Sequence, residues 1–155
     1  MNKSEIINKQ KELIEQYGIL FEKTGLQPVA GRIAGLLLVM DKETYTFDEI
    51  VEELNISKST ASVAIKTLLF SNEIEYITHS GDRKKYFRTK ITSIEQGRKD
   101  FISLIKRYKK LTEEAYELKQ NKDSRVGSYF SELLPKLDSY IPKLEELDDK
   151  LNKEI

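Results

Sequence analysis

Phe47-Asp48-Glu49-Ile50-Val51-Glu52-Glu53-Leu54-Asn55-Ile56-Ser57-Lys58-Ser59-Thr60-Ala61-Ser62-Val63-Ala64-Ile65-Lys66-Thr67-Leu68-Leu69-Phe70 holds two helical periods separated by a two-residue break. Thr46 stands just before it, three residues ahead of Glu49. Together they make a capping box, in which hydroxyl and carboxylate each satisfy a free N–H at the helix start. The first helix, 47–54, turns Phe47, Ile50, Val51 and Leu54 to a core. Asn55-Ile56 ends it, and Ser57 caps a second helix running to about Ser71. The core face of this second helix is Ala61, Ala64, Ile65, Leu68 and Leu69. Two helices joined by so short a turn read as a helix-turn-helix, whose second helix is the one that enters a major groove.

Downstream, Asn72 falls where the chain must leave the helix, and asparagine tolerates the left-handed conformation used there. The period then changes to two. Residues 74–79 read as a strand, Ser80-Gly81-Asp82 as a turn, and Lys85–Lys90 as the returning strand. This is a hairpin with a basic second arm. Upstream, residues 29–40 form a helix that is apolar on nearly every side and belongs at the centre of a core. Gly31 and Gly35 share one face of it. Each costs about 1 kcal/mol in a helix, so the close approach of another backbone is expected there. Residues 3–23 form a further helix with an apolar stripe at Ile6, Ile7, Leu13, Ile14, Tyr17, Leu20 and Phe21, ended by Thr24-Gly25.

Beyond residue 93 the helical period returns. Phe101, Leu104, Tyr108, Leu111, Ala115 and Leu118 repeat at alternating steps of three and four, as do Phe130, Leu133, Leu137, Tyr140, Leu144, Leu147 and Leu151. These are heptad seams of the coiled-coil kind. A break is expected near 120–123, and Pro135 and Pro142 should bend or interrupt the last helix. The fold class is therefore mainly α with a small β-wing: a winged helix-turn-helix flanked by long dimerisation helices. The divisions expected are an N-terminal dimerisation helix over 1–24, a DNA-binding domain over 25–91 and a C-terminal helical dimerisation region over 92–155.

The formal net charge is zero, so any basic surface must be local. It is found over 57–90, where Lys58, Lys66, Arg83, Lys84, Lys85, Arg88 and Lys90 face Glu73, Glu75 and Asp82, an excess of four positive charges. The candidate DNA-contacting residues follow. Ser57, Lys58, Ser59 and Thr60 give the second helix a small, hydroxylated start that can approach a phosphate closely. Ser62, Val63 and Lys66 lie opposite the core face and are placed to meet bases, Val63 against a thymine methyl. Arg83, Lys84 and Lys85 lie at the hairpin tip. Asp82, repelled by phosphate, would orient a basic neighbour or shape the turn.

Other chemistries find little support. There is no cysteine, which excludes disulfides, and the only histidine is His79, which makes zinc sites and histidine-based triads implausible. Gly31–Gly35 lacks the ending of a phosphate loop. No catalytic residue, metal or cofactor is expected. Met1–Gln16 is charged throughout and carries no signal-peptide core. The longest apolar run, Ile33–Met40, is too short to span a bilayer. A soluble, cytoplasmic protein with no membrane partner is the expectation.

The stretch 54–63 followed by Gly81-Asp82-Arg83-Lys84-Lys85-Tyr86-Phe87 resembles the MarR family of regulators. Gly31-Arg32-Ile33-Ala34-Gly35-Leu36-Leu37-Leu38 is similar to its GbsR-type branch. The resemblance covers roughly 25–90. It implies a homodimeric transcriptional regulator, a repressor acting on a pseudo-palindromic operator in double-stranded DNA. It also implies an Asp-x-Arg wing whose arginine enters the minor groove. Here the tip is Asp82-Arg83-Lys84, so Lys84 occupies the family arginine position, with Arg83 taking its role. Asn72-Glu73-Ile74 departs from the glycine and two apolar residues common at that point.

Two further readings are carried with this one. A winged-helix adaptor that binds proteins through its coiled-coil helices would show no salt-dependent DNA affinity. GbsR-type relatives also imply a small-molecule effector, a choline-like cation in some members, for which an aromatic cage would be the chemistry. Tyr45, Phe70, Tyr76, Tyr108 and Tyr116 could contribute to one. Tyrosines on helical seams are ordinarily core, however, and tryptophan is absent.

Overall fold

The computed structural model describes residues 2–153, in two compact units that meet after Ile91. In the first unit, helix α1 (Lys3–Glu22) opens with a capping box between Asn2 and Glu5. Helix α2 (Pro28–Val39) starts on Pro28, whose missing N–H costs nothing in a first turn. Ala30, Ile33, Ala34, Leu36 and Leu37 are all buried, so α2 is the central helix of the core. Gly31 and Gly35 both turn toward α1, against Gly18 and against Ile14 and Tyr17. Helix α1 is thus packed into the same unit as the winged domain.

Strand β1 (Tyr45–Thr46) leads into α3 (Phe47–Leu54), and Asn55 adopts a left-handed conformation at φ 49°. Helix α4 (Lys58–Phe70) follows at once. Asn72, at φ 60°, releases the chain into β2 (Ile74–Ile77), which pairs with β3 (Tyr86–Thr89). The sheet has three antiparallel strands in the order β1-β3-β2, with Tyr45 opposite Phe87 and Ile74 opposite Thr89. Tyr45, Ile74 and Phe87 are buried, and Ile50, Ala64, Ile65 and Leu68 complete the core with α2. The wing base therefore packs through Ile74, while Asn72 supplies the left-handed residue and accepts a hydrogen bond from Lys90 Nζ at 3.0 Å.

The second unit is an antiparallel pair, α5 (Ile94–Glu117) and α6 (Arg125–Lys153). Among the described residues, three ion pairs cross it: Arg98 to Asp148 and Lys106 to Glu145, both 2.7 Å, and Lys109 to Asp138 at 2.6 Å. The α5 face closed on α6 carries Arg98, Ile102, Ile105, Lys109 and Thr112. The row Phe101, Leu104, Tyr108, Leu111 and Leu118 remains exposed. Helix α6 continues through Pro135 and Pro142 without interruption. Both prolines are exposed, so water can take the carbonyls that lose an N–H partner.

Candidate nucleic-acid interface

The start of α4 is built from its hydroxyls. Ser57 Oγ accepts the Thr60 N–H at 3.1 Å and lies 2.7 Å from Thr60 Oγ1 and 3.1 Å from Ser59 Oγ. Ser57, Lys58, Ser59 and Thr60 are all exposed. No acidic residue occupies the first turn, so the partial positive charge of the helix N-terminus is open to an anion. Lys58 reaches back to Asp48 at 3.2 Å, a solvent-exposed pair that holds it weakly.

Farther along the helix the outward face carries Ser62, Val63 and Lys66. Val63 is 52% exposed, unusual for an aliphatic side chain on a helix whose opposite face is a filled core. Its carbonyl accepts the Thr67 hydroxyl at 3.1 Å. Lys66 is exposed and has no ion-pair partner among the described residues. Phe70, in line with Val63 and Lys66 at helical spacing, is 93% exposed. Sequence reasoning set it among ligand-cage candidates rather than on this face. The signal was its seven-residue separation from Val63.

At the wing, Gly81 takes φ 80° and the Asp82 N–H donates to the His79 carbonyl at 3.0 Å, closing the turn. The Asp82 carboxylate accepts the Lys84 N–H at 2.9 Å and the Tyr86 hydroxyl at 2.5 Å. The Tyr86 hydroxyl, followed by the Lys84 N–H, holds Asp82 below the usual aspartate range. The same bond pushes the Tyr86 phenol up. The basic side chains divide into two sets. Arg88 pairs with Glu75 at 2.7 Å, and Lys85 Nζ stands 4.2 Å from the centre of the Tyr76 ring. Arg83 and Lys84 are exposed and have no ion-pair partner among the described residues. So Asp82 shapes the turn, and the two cations nearest to it stay open.

The five aromatic residues considered for a ligand cage are differently placed. Tyr45 is core, Phe70 and Tyr108 are exposed, and the ring faces of Tyr45, Tyr76 and Tyr116 are each covered by a lysine, Lys42, Lys85 and Lys122. Among the described residues no cluster of His, Cys, Asp and Glu is arranged to hold a metal. No helix among them is long and apolar enough to cross a membrane.

A helical core, a helix-turn-helix pair and a small antiparallel wing define a winged helix-turn-helix fold. The crystal structure of a transcriptional regulator superposes with a TM-score of 0.71 over 94% of this chain and 99% of that one, at 24% identity, a likeness of fold. In sequence, the chain is 34% identical over 91 residues to HTH-type transcriptional regulator MmpR5 of Mycobacterium tuberculosis. The match covers 59% of this chain and 55% of the relative, so the chain spans about half the length of that curated protein. No family model matches.

Proposed function

We propose that this chain is a sequence-specific DNA-binding regulator of transcription, MarR-like and of the GbsR type. In this reading it acts in the cytoplasm as a homodimeric repressor on a pseudo-palindromic operator. The observation that carries the reading is a single convergence. The hydroxyl-rich start of α4, the open side chains of Val63 and Lys66, and the unpaired cations Arg83 and Lys84 belong to one compact unit. A helix in the major groove with a basic arm on the flanking backbone uses such parts: small residues for approach, an aliphatic group for a thymine methyl, free cations for phosphate or a narrow groove. No catalytic role is proposed. The likeness of fold and the MmpR5 match support the same class.

The homodimer rests on the apolar surface left open. On α1, Leu13, Ile19 and Leu20 are exposed, and on α5 the row from Phe101 to Leu118 is exposed along the helix. Such rows are covered when a second copy presents its own. An effector response is supported by the resemblance alone, and no site is assigned to it. Selection of bound fragments from the source genome, followed by gel shifts across a salt series, tests the function. Nanomolar, salt-dependent binding to a recurring inverted sequence is the expected result. Absence of salt-dependent binding to any fragment would favour the protein-binding adaptor.

A further inference from the structure

We propose that Tyr86 is a positioning residue for DNA binding: by holding Asp82 through its hydroxyl, it sets the turn that presents Arg83 and Lys84. The inference rests on the DNA-binding reading above and adds to it the part of the chain that makes the wing competent.

An aspartate beside an arginine and two lysines would ordinarily pair with one of them and remove that cation from use. Here both carboxylate oxygens are occupied. Oδ1 takes the Lys84 N–H and Oδ2 takes the Tyr86 hydroxyl. The first bond is a side-chain turn of the kind aspartate makes with the backbone two residues on. It fixes the peptide on both sides of Arg83. The second anchors that turn to the sheet, because Tyr86 belongs to the middle strand, opposite Ile77 on one neighbour and Thr46 on the other. Its ring packs edge-on against His79, 4.8 Å between centres, at the other end of the same turn. The phenol therefore ties together His79, Asp82 and Lys84 across a tip that has only Gly81 at its apex.

The consequence is preorganisation. A glycine-containing tip samples many backbone states when free, and each ordered residue must give up that freedom on binding. With Tyr86 in place the loss is already taken in folding. Without its hydroxyl the turn loses its tie to the sheet, and that part of its order must come from binding DNA, at a cost of about five- to tenfold in affinity. The cations themselves are untouched, so the number of displaced counterions stays the same.

The full chain is compared as wild type, Tyr86→Phe, Asp82→Ala and the double variant, on a fragment selected from the genome, across a salt series. Exchange of the Lys84 amide is followed by NMR without DNA. The expected result is a five- to tenfold weaker Tyr86→Phe with an unchanged salt slope and unchanged helical content. Lys84 exchange should be faster in Tyr86→Phe. On the Asp82→Ala background, removing the hydroxyl should change nothing further. Wild-type affinity in Tyr86→Phe overturns the inference, as does an equal loss on both backgrounds, which would mean that the hydroxyl touches DNA directly. Unchanged Lys84 exchange overturns it without reference to DNA. A wild type that binds no fragment refutes the DNA reading itself, a result distinguishable from all of these.

Discussion

Gly31 on α2 lies so close to Gly18 on α1 that a Cβ added at Gly31 would stand 2.9 Å from the Gly18 carbonyl oxygen and 3.0 Å from its Cα. The obstacle is backbone, which cannot rotate away. Gly31→Ala should therefore force α1 and α2 apart and destabilise the first unit by about 1–3 kcal/mol, the usual penalty of overpacking. Gly97 in α5 offers the opposite case, since an added Cβ there meets nothing within 4 Å. Gly97→Ala should stabilise by about 0.5–1 kcal/mol through helix propensity alone. Thermal melts of both variants check the pair. A neutral Gly31→Ala would show that the crossing can relax.

Lys66 is expected to read sequence, and Ser57 to support the helix that carries it. Lys66→Ala should weaken operator binding by about 1–3 kcal/mol while affecting random duplex much less. Ser57→Ala removes the cap on Thr60 and should cost about 1 kcal/mol of stability. Competitive gel shifts with operator and random duplex decide the first half. Equal losses on both would assign Lys66 to phosphate.

Arg83 and Lys84 compete for one role. Arg83 suits a narrow minor groove, because its guanidinium is more weakly hydrated than an ammonium. Arg83→Ala should lower affinity and flatten the salt slope by about two units, one per subunit of a dimer. Helical content should not change. If Lys84→Ala produced the whole effect and Arg83→Ala none, the position matching the family arginine would be the one in the groove.

Leu104 and Leu111 are 65% and 54% exposed on the same face of α5. Replacing both with glutamate should yield a monomer at micromolar concentration in sedimentation, with the first unit still folded. A dimer that survives the double substitution would place the contact elsewhere.

Asp148 introduces a pH dependence. Arg98 donates to its carboxylate at 2.7 Å and Asn152 at 3.2 Å, and Arg98 above all holds Asp148 below the ordinary aspartate range. A depressed folded-state pKa contributes stability above the unfolded value of about 3.9, and that contribution is lost as pH falls through the folded value. Asp148→Asn should therefore be less stable than wild type at pH 7, with the gap closing on acidification. A gap that persisted unchanged to pH 3 would mean the charge contributes nothing.

The helix-turn-helix was legible because its signals are local. The capping box at Thr46 and Glu49, the Ser57 cap and the left-handed Asn72 each lie within a few residues of the element they delimit. Close packing at Gly31 and Gly35 was legible too, but its partner was not, since Gly18 sits in a stripe that reads simply as apolar. The sheet partner of the extended piece at Tyr45-Thr46 was hidden for a different reason. A two-residue strand has no period, and Tyr45 finds Phe87 across more than forty residues. In α5 the strongest apolar row drew attention, while the row that meets α6 is partly charged. Its complement on α6, at Asp138, Glu145 and Asp148, was the available sign. The Tyr86 hydroxyl bond left no pattern in the sequence at all.

Thr46 belongs to two elements at once. Its backbone is opposite Tyr86 in the sheet, and its hydroxyl receives the Glu49 N–H that opens α3. A two-stranded ribbon alone is marginal in water, and its amides would be expected to exchange freely. This ribbon instead pairs through Tyr86 and Phe87 with β1, whose Thr46 also caps α3, so β3 cannot leave the sheet without disturbing the residue that opens that helix. Amide protection at the start of α3 and along β3 should therefore fall together rather than separately when the sheet opens.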